Sequence, residues 1–307
     1  MHLAEHGWKR LTDAGPMLST CIFARNEERL LPQCVGSLVR AGLGETDEVH
    51  ILVNGSADNT GLTARTLGAA DPRIRVHDLP VGDKVNAWNE YVHRIAPARA
   101  GAHVFIDGDI AASPDALTAL AKALAASPES YAAAALPASG RSRRAWARSL
   151  IANHYLSGNL YALSGDALAL FREKRIRLPF GAKGEDGLLS YLLLTDLKGG
   201  KDDSHKRRIV IAEDATFEFE SLQASLRDAG LYARRLLRYS ERHFQKKILY
   251  RILKEEGVRA MPEAVSEIYT QDACKGLRPR FDPVNFWFDL AILRRLKTNA
   301  ARLIEAR

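Results

Sequence analysis

Five short runs rich in aliphatic residues, Leu18 to Phe23, Glu48 to Val53, Arg73 to His77, His103 to Ile106 and Tyr131 to Leu136, alternate with helical stretches that open at Glu28, Asp58, Asp83 and Ser113. Strand and helix in alternation require a mostly parallel sheet covered by helices, because each crossover returns the chain to the same edge. Asp58 and Ser113 read as helix N-caps, the second followed by Pro114. Sheets of this kind bind ligands beyond the carboxyl ends of their strands, where Asn54, Asp107 and Asp109 fall.

The alternation weakens further along. The pattern predicts a helix over Ala145 to Leu156, a strand over Leu160 to Leu163, a helix over Asp186 to Leu194 and a hairpin-like pair over Arg208 to Phe219. Lys198 to Arg208, rich in glycine and charge, reads as an exposed loop. From Ser221 onward the chain reads as helical, interrupted near Gly257, Pro262, Gly276 and Pro283. The expected division is an N-terminal extension over 1–16, a main domain over 17–240 and a helical C-terminal region over 241–307.

No apolar run approaches the roughly 18 to 20 residues that cross a bilayer. The first ten residues lack the apolar segment of a secretory signal, so the expectation is a cytoplasmic protein. Cys21, Cys34 and Cys274 are odd in number and widely spaced, which predicts buried thiols and no disulfide framework or zinc site. Positive charge is concentrated from Leu231 to Arg259, where nine Lys or Arg face Glu241, Glu255 and Glu256. Such a helix can rest against an anionic membrane or a phosphate-bearing partner, with Arg242, Lys246 and Lys247 as the contact residues. No recognition module for nucleic acid accompanies it, which argues against that partner.

The chemistry-bearing segment is His103-Val104-Phe105-Ile106-Asp107-Gly108-Asp109, a strand that ends in two carboxylates two positions apart. Residues i and i+2 of extended chain face the same way, so both can point into one crevice. A magnesium-like divalent cation is held in this manner, by one or two carboxylates with phosphate and water completing the shell.

Four other segments accompany it. Ala24-Arg25-Asn26-Glu27-Glu28 follows the first strand, Asn54-Gly55-Ser56-Ala57-Asp58-Asn59-Thr60 follows the second, Gly82-Asp83-Lys84 opens the third helix, and Gly184-Glu185-Asp186-Gly187 comes later. In this order they resemble the family 2 glycosyltransferases of the GT-A (Rossmann-like) fold, over residues 17 to 240. The resemblance implies a hexosyltransferase-like, inverting, metal-dependent enzyme using a nucleotide-sugar donor and Mg or Mn. It implies that Ala24, Arg25, Glu27 and Asn54 line the nucleoside pocket and that Lys84 approaches the diphosphate. Asp107 would lie near ribose and metal, and Asp109 would be the direct metal ligand. The late pair Glu185 and Asp186 would supply catalysis, with Asp186 as the base for an acceptor hydroxyl. Ser157 to Gly165 resembles the acceptor-side strand and turn, where Tyr161 and Trp146 could stack on a sugar.

Two departures refine this. Val53 and Asn54 stand where many members carry acidic residues, so the usual carboxylate contact to a uracil imide is missing and the donor base stays open. Tyr232 to Tyr239 only loosely echoes the QxxRW signature of processive synthases, which favours addition of a single sugar to a sugar, lipid-linked or small-molecule acceptor. The competing readings are a retaining GT-A transferase, which shares the sheet and the carboxylate pair, and a non-catalytic module binding a nucleotide or anionic partner. A sugar-nucleotide pyrophosphorylase would need a glycine-rich loop after the first strand, where Ala24-Arg25-Asn26-Glu27 stands instead.

Overall fold

The computed structural model describes residues 17–220 and 229–305. The expected extension over 1–16 and the residues 221–228 lie outside them. In chain order the elements are β1 (Leu18–Ala24), α1 (Leu31–Arg40), β2 (Glu48–Asn54), α2 (Thr60–Ala70), β3 (Ile74–Leu79) and α3 (Lys84–Glu90). Then follow β4 (Ala102–Asp107), β5 (Ile110–Ala112), α4 (Ala116–Ala126), β6 (Ala132–Pro137), α5 (Arg143–Asn153) and β7 (Leu160–Ser164). The chain continues through α6 (Gly165–Glu173), α7 (Glu185–Leu194), β8 (Ile209–Phe219), α8 (Ala229–Glu256), α9 (Gln271–Cys274) and α10 (Asn285–Glu305).

One eight-stranded sheet runs in the order β3-β2-β1-β4-β7-β6-β8-β5. The pairs β3·β2, β2·β1 and β1·β4 are parallel, as strand-helix alternation requires. Beyond β4 the sheet becomes mixed: β4·β7, β7·β6 and β8·β5 are antiparallel and β6·β8 is parallel. The fold is thus α/β, GT-A-like, with a helical C-terminal region, as expected, and its second half is less parallel than its first.

β1 and β2 are buried at every position, which is why they read as unbroken apolar runs rather than alternating ones. One face of the sheet packs Ile22, Leu31, Leu38, Val104 and Leu117. The other packs Phe23, Trp88, Phe105 and Tyr161, together with Phe244, Ile248 and Leu253 from α8 and Ile292 from α10. The C-terminal helices are therefore part of the apolar body under the site. The three cysteines are buried, as anticipated.

Several local expectations are corrected. Arg208 to Phe219 is not a hairpin: β8 is one strand, and a register irregularity against β6 leaves Glu213 and Asp214 exposed in its middle. Ser113 does not cap α4; its Oγ accepts from the Thr216 N–H of β8 at 3.1 Å, and the helix begins at Ala116. α6 went unanticipated, although Ser164 caps it by accepting from the Ala167 N–H at 3.1 Å. Among the described residues no helix is long and apolar enough to cross a membrane.

Candidate active site

The turns after β1 and β2 are laced together by side chains. Asn26, at φ 57°, accepts from the Ala57 N–H at 2.8 Å, and its own N–H donates to Ser56 Oγ at 3.1 Å. The Glu27 N–H donates to Thr60 Oγ1 at 2.7 Å, and Glu28 accepts from the Asn59 N–H at 2.9 Å. A short polar side chain that tolerates the left-handed region is what this turn needs, and Asn26 supplies it.

The same loops hold the start of α3. Buried Asn54 accepts from the Asp83 N–H at 2.9 Å, so its side chain is spent on the framework. Arg25 donates to the Gly82 carbonyl at 2.7 Å and lies exposed across the loop. Asp83 caps α3 by accepting from the Asn86 N–H at 2.7 Å. Ala24 is the buried last residue of β1.

Lys84 opens α3 and is the hub of the charged cluster. Its Nζ lies 2.6 Å from Asp107 Oδ1 at the end of β4 and 2.6 Å from Glu185 Oε1 at the start of α7. It also donates to the Gly158 carbonyl at 3.0 Å. Burial works against the ammonium, but the two carboxylates outweigh it and hold Lys84 protonated, above the ordinary lysine range. Burial likewise works against the charged form of Glu185, and Lys84 overcomes it, leaving the carboxyl below its usual value.

Asp107 and Glu27 behave oppositely. Burial and the negative charge of Asp109 push Glu27 up to about 7. Burial, with Asp109 and Glu185 adding to it, raises Asp107 to about 7 in spite of Lys84. Asp109 stands exposed beyond Gly108, whose N–H donates to the Phe23 carbonyl at 2.9 Å and fixes the turn against β1. The structure thus brings Glu27, Asp107 and Asp109 into one field of negative charge. Among the described residues no three His, Cys, Asp or Glu side chains form a closed metal cage. Two carboxylates at an open edge, with excess negative charge, fit a cation whose remaining shell comes from phosphate oxygens.

The neighbours Glu185 and Asp186 face different partners. While Glu185 meets Lys84, Asp186 Oδ1 accepts from Arg242 Nη2 of α8 at 2.8 Å. Burial and the adjacent Glu185 raise the Asp186 pKa, and Arg242 opposes them. Gly184 precedes the pair at φ 81°, and a Cβ there would strike the Arg242 guanidinium. Asp186 and Gly187 also line a cavity of about 320 Å³, bounded by Trp146 of α5 and by Arg242, Lys246 and Tyr250 of α8.

Arg242 was missed as a site residue by sequence reasoning, which assigned it with Lys246 and Lys247 to an anionic surface. The structure turns Arg242 onto Asp186; Lys246 and Lys247 are both exposed, and of the two Lys246 lines the cavity. Spacing by four along 242, 246, 250 and 254 was the available signal. Tyr161 is not a sugar platform. It is buried, stacked on Phe105 at 4.9 Å between ring centroids, and accepts from Trp88 Nε1 at 3.0 Å. Trp146 is half-buried against Phe217 and Phe219 at the cavity wall.

The parallel-then-mixed sheet, with carboxylates at its strand ends and an acidic pair opening a late helix, is the GT-A architecture that the resemblance implied. The sequence model for glycosyl transferase family 2 matches residues 19–181, just over half of the chain, and the chain belongs to that family. Solved structures with a similar fold include the mannosyltransferase PcManGT from Pyrobaculum calidifontis in complex with GDP-Man and Mn2+. It is 16% identical at a TM-score of 0.58, over 94% of this chain and 87% of that one. TarS 1-349 of S. aureus with UDP-GlcNAc is 13% identical at a TM-score of 0.50, over 95% and 92%. Glucosyl-3-phosphoglycerate synthase from Mycobacterium tuberculosis with Mn2+, UDP-Glc and phosphoglyceric acid is 23% identical at a TM-score of 0.50, over 74% and 79%. No curated protein sequence matches the chain.

Proposed function

We propose that the enzyme transfers one sugar from a nucleotide-sugar donor to an acceptor hydroxyl with inversion at the anomeric carbon. The observation that carries this reading is the split of the acidic pair, Glu185 to Lys84 and the nucleotide side, Asp186 to the cavity. In this reading the turns after β1 and β2, with Ala24, Arg25, Glu27 and Asn54, border the nucleoside. Asp109 and Asp107 would hold a divalent cation, Mg or Mn, which supplies Lewis-acid stabilisation to a departing diphosphate when bound. Lys84 holds a fixed positive charge beside the same place, where negative charge develops on the leaving group.

Asp186 acts as the base. Its carboxylate takes the proton of the acceptor hydroxyl as that oxygen forms its bond to the anomeric carbon. The bond from that carbon to the diphosphate oxygen breaks, and the nucleoside diphosphate leaves with the electron pair. A pKa raised by burial makes Asp186 a stronger proton acceptor than an ordinary surface aspartate. The nucleotide sugars bound in the structures of similar fold differ in base and sugar, so the donor is best found by a thermal-shift screen of nucleoside diphosphates with Mn2+. Product configuration by NMR then tests the mechanism: an inverted anomer supports Asp186 as base, and a retained one returns the retaining alternative.

A further inference from the structure

α8 presents Arg242, Lys246, Tyr250 and Lys254 at intervals of four, and all four line the cavity that Asp186 borders. Residues spaced by four on a helix stack along one side, so this is a continuous stripe and not a scatter of surface charge. Arg242 is committed to Asp186. Among the described residues Lys246 and Lys254 have no carboxylate within ion-pair distance, and Lys246 lies 5.0 Å from the centroid of the Tyr250 ring. Asp203 is the other acidic residue on the cavity wall. Burial, Arg242 and Lys254 together depress the Lys246 pKa below the ordinary lysine value, with Asp186 opposing them. Like charges gathered at the wall of a cavity destabilise the empty site and favour an anion within it.

We infer that the acceptor carries a phosphate group, seated against Lys246 and Lys254, which holds its hydroxyl at Asp186. The inference rests on the reading of Asp186 as the acceptor-side base. An anion held between Lys246 and Lys254, one and three turns along α8 from Asp186's partner Arg242, would anchor one end of a small molecule, while Trp146 and Tyr155 on the cavity wall border its apolar side. The volume of about 320 Å³ accommodates a small phosphorylated polyol or the head of a phosphate-bearing lipid.

The test measures binding of glycerol 3-phosphate by calorimetry and of vesicles carrying a phosphomonoester lipid by flotation, in the wild type, Lys246→Ala/Lys254→Ala and Lys247→Ala. Lys247 is exposed and outside the cavity, so its variant is the control for general surface charge. Removal of two charge-assisted contacts is expected to weaken phosphate binding by about tenfold or more. Loss of glycerol 3-phosphate binding in the double variant alone supports a soluble acceptor. Loss of vesicle binding alone, in the same variant, supports a lipid-linked one. Absence of binding to both probes, or equal binding in all three proteins, overturns the inference. Nucleoside diphosphate binding with Mn2+ is measured on the same samples, so failure of the donor reading registers separately from failure of the phosphate seat.

Discussion

Lys84 Nζ stands 2.6 Å from Glu185 Oε1, joining the first turn of α3 to the first turn of α7 across the end of the sheet. The same ammonium meets Asp107 at 2.6 Å, so one positive charge fixes the spacing between the end of β4 and the start of α7. Both partners are largely withdrawn from water, with 23% of the Lys84 and 9% of the Glu185 side chain exposed. Removing one member of such a group leaves buried charge without compensation.

Lys84→Met is therefore expected to lower stability by about 3 kcal/mol, measured by urea denaturation at neutral pH. Glu185→Gln added to it should restore part of the loss, with a coupling energy of roughly 1 kcal/mol or more in a double-mutant cycle. Strict additivity of the two changes would mean that the contact does not organise the site.

Asp109 is exposed and, among the described residues, its side chain makes no hydrogen bond or ion pair, so it holds no part of the framework. Asp109→Asn should keep the melting temperature and abolish metal-dependent binding of a nucleoside diphosphate. Calorimetry that finds the same affinity in wild type and variant would remove Asp109 from the cation site.

The strand-end part of the candidate site was legible in the sequence because its residues lie in turns directly after apolar runs, and the carboxyl ends of parallel strands fall at one end of the sheet. The Asp107-Gly108-Asp109 segment was found on that ground, whereas Glu185-Asp186, which opens a helix, was singled out only through the resemblance of the motif order. What the order of residues could not disclose was contact made by packing. Arg242 reaches Asp186 only because α8 lines the cavity beside it, and with its basic neighbours it read as a contact surface for an anionic membrane or phosphate-bearing partner. Tyr161 was misjudged for a related reason: strand burial on both faces turns an aromatic side chain into core. The polar pair Glu213-Asp214 suggested a turn, whereas an irregularity in pairing lets one strand carry them outward.

Asp186→Asn should retain donor binding and lose turnover by about 10²-fold or more, because an amide cannot take the acceptor's proton. Gly184→Ala approaches the same carboxylate from outside the chemistry. It forces an L side chain into φ 81° and displaces Arg242, at about 1–2 kcal/mol for the backbone alone. Stopped transfer in both variants, with intact nucleotide binding, is the expected result. Wild-type turnover in folded Asp186→Asn would reduce the acidic pair to a helix cap.

The final prediction concerns pH and lies away from the site, in the core. His103 of β4 is buried, pairs its Nδ1 with the Tyr91 hydroxyl at 3.0 Å, and is lowered from 6.5 to about 4. Burial is the main cause, with the positive charge of Arg172 and the neighbouring His50 adding to it. His50 is lowered to about 4 as well, by burial and by His77. A histidine kept neutral in the fold binds its proton more readily once unfolded, so the unfolded state is favoured between these values. The His103 contribution should be level above pH 6.5 and turn destabilising as the pH drops toward about 4, by roughly 3 kcal/mol at the end of that range. Glu27 and Asp107, both raised to about 7, work in the opposite direction by taking up protons more readily in the fold. Chemical denaturation of the wild type and His103→Gln at pH 7 and pH 5 isolates the histidine: the variant's stability relative to the wild type should improve at the lower pH. Equal pH dependence in the two proteins would mean that protonation of His103 plays no part in acid unfolding.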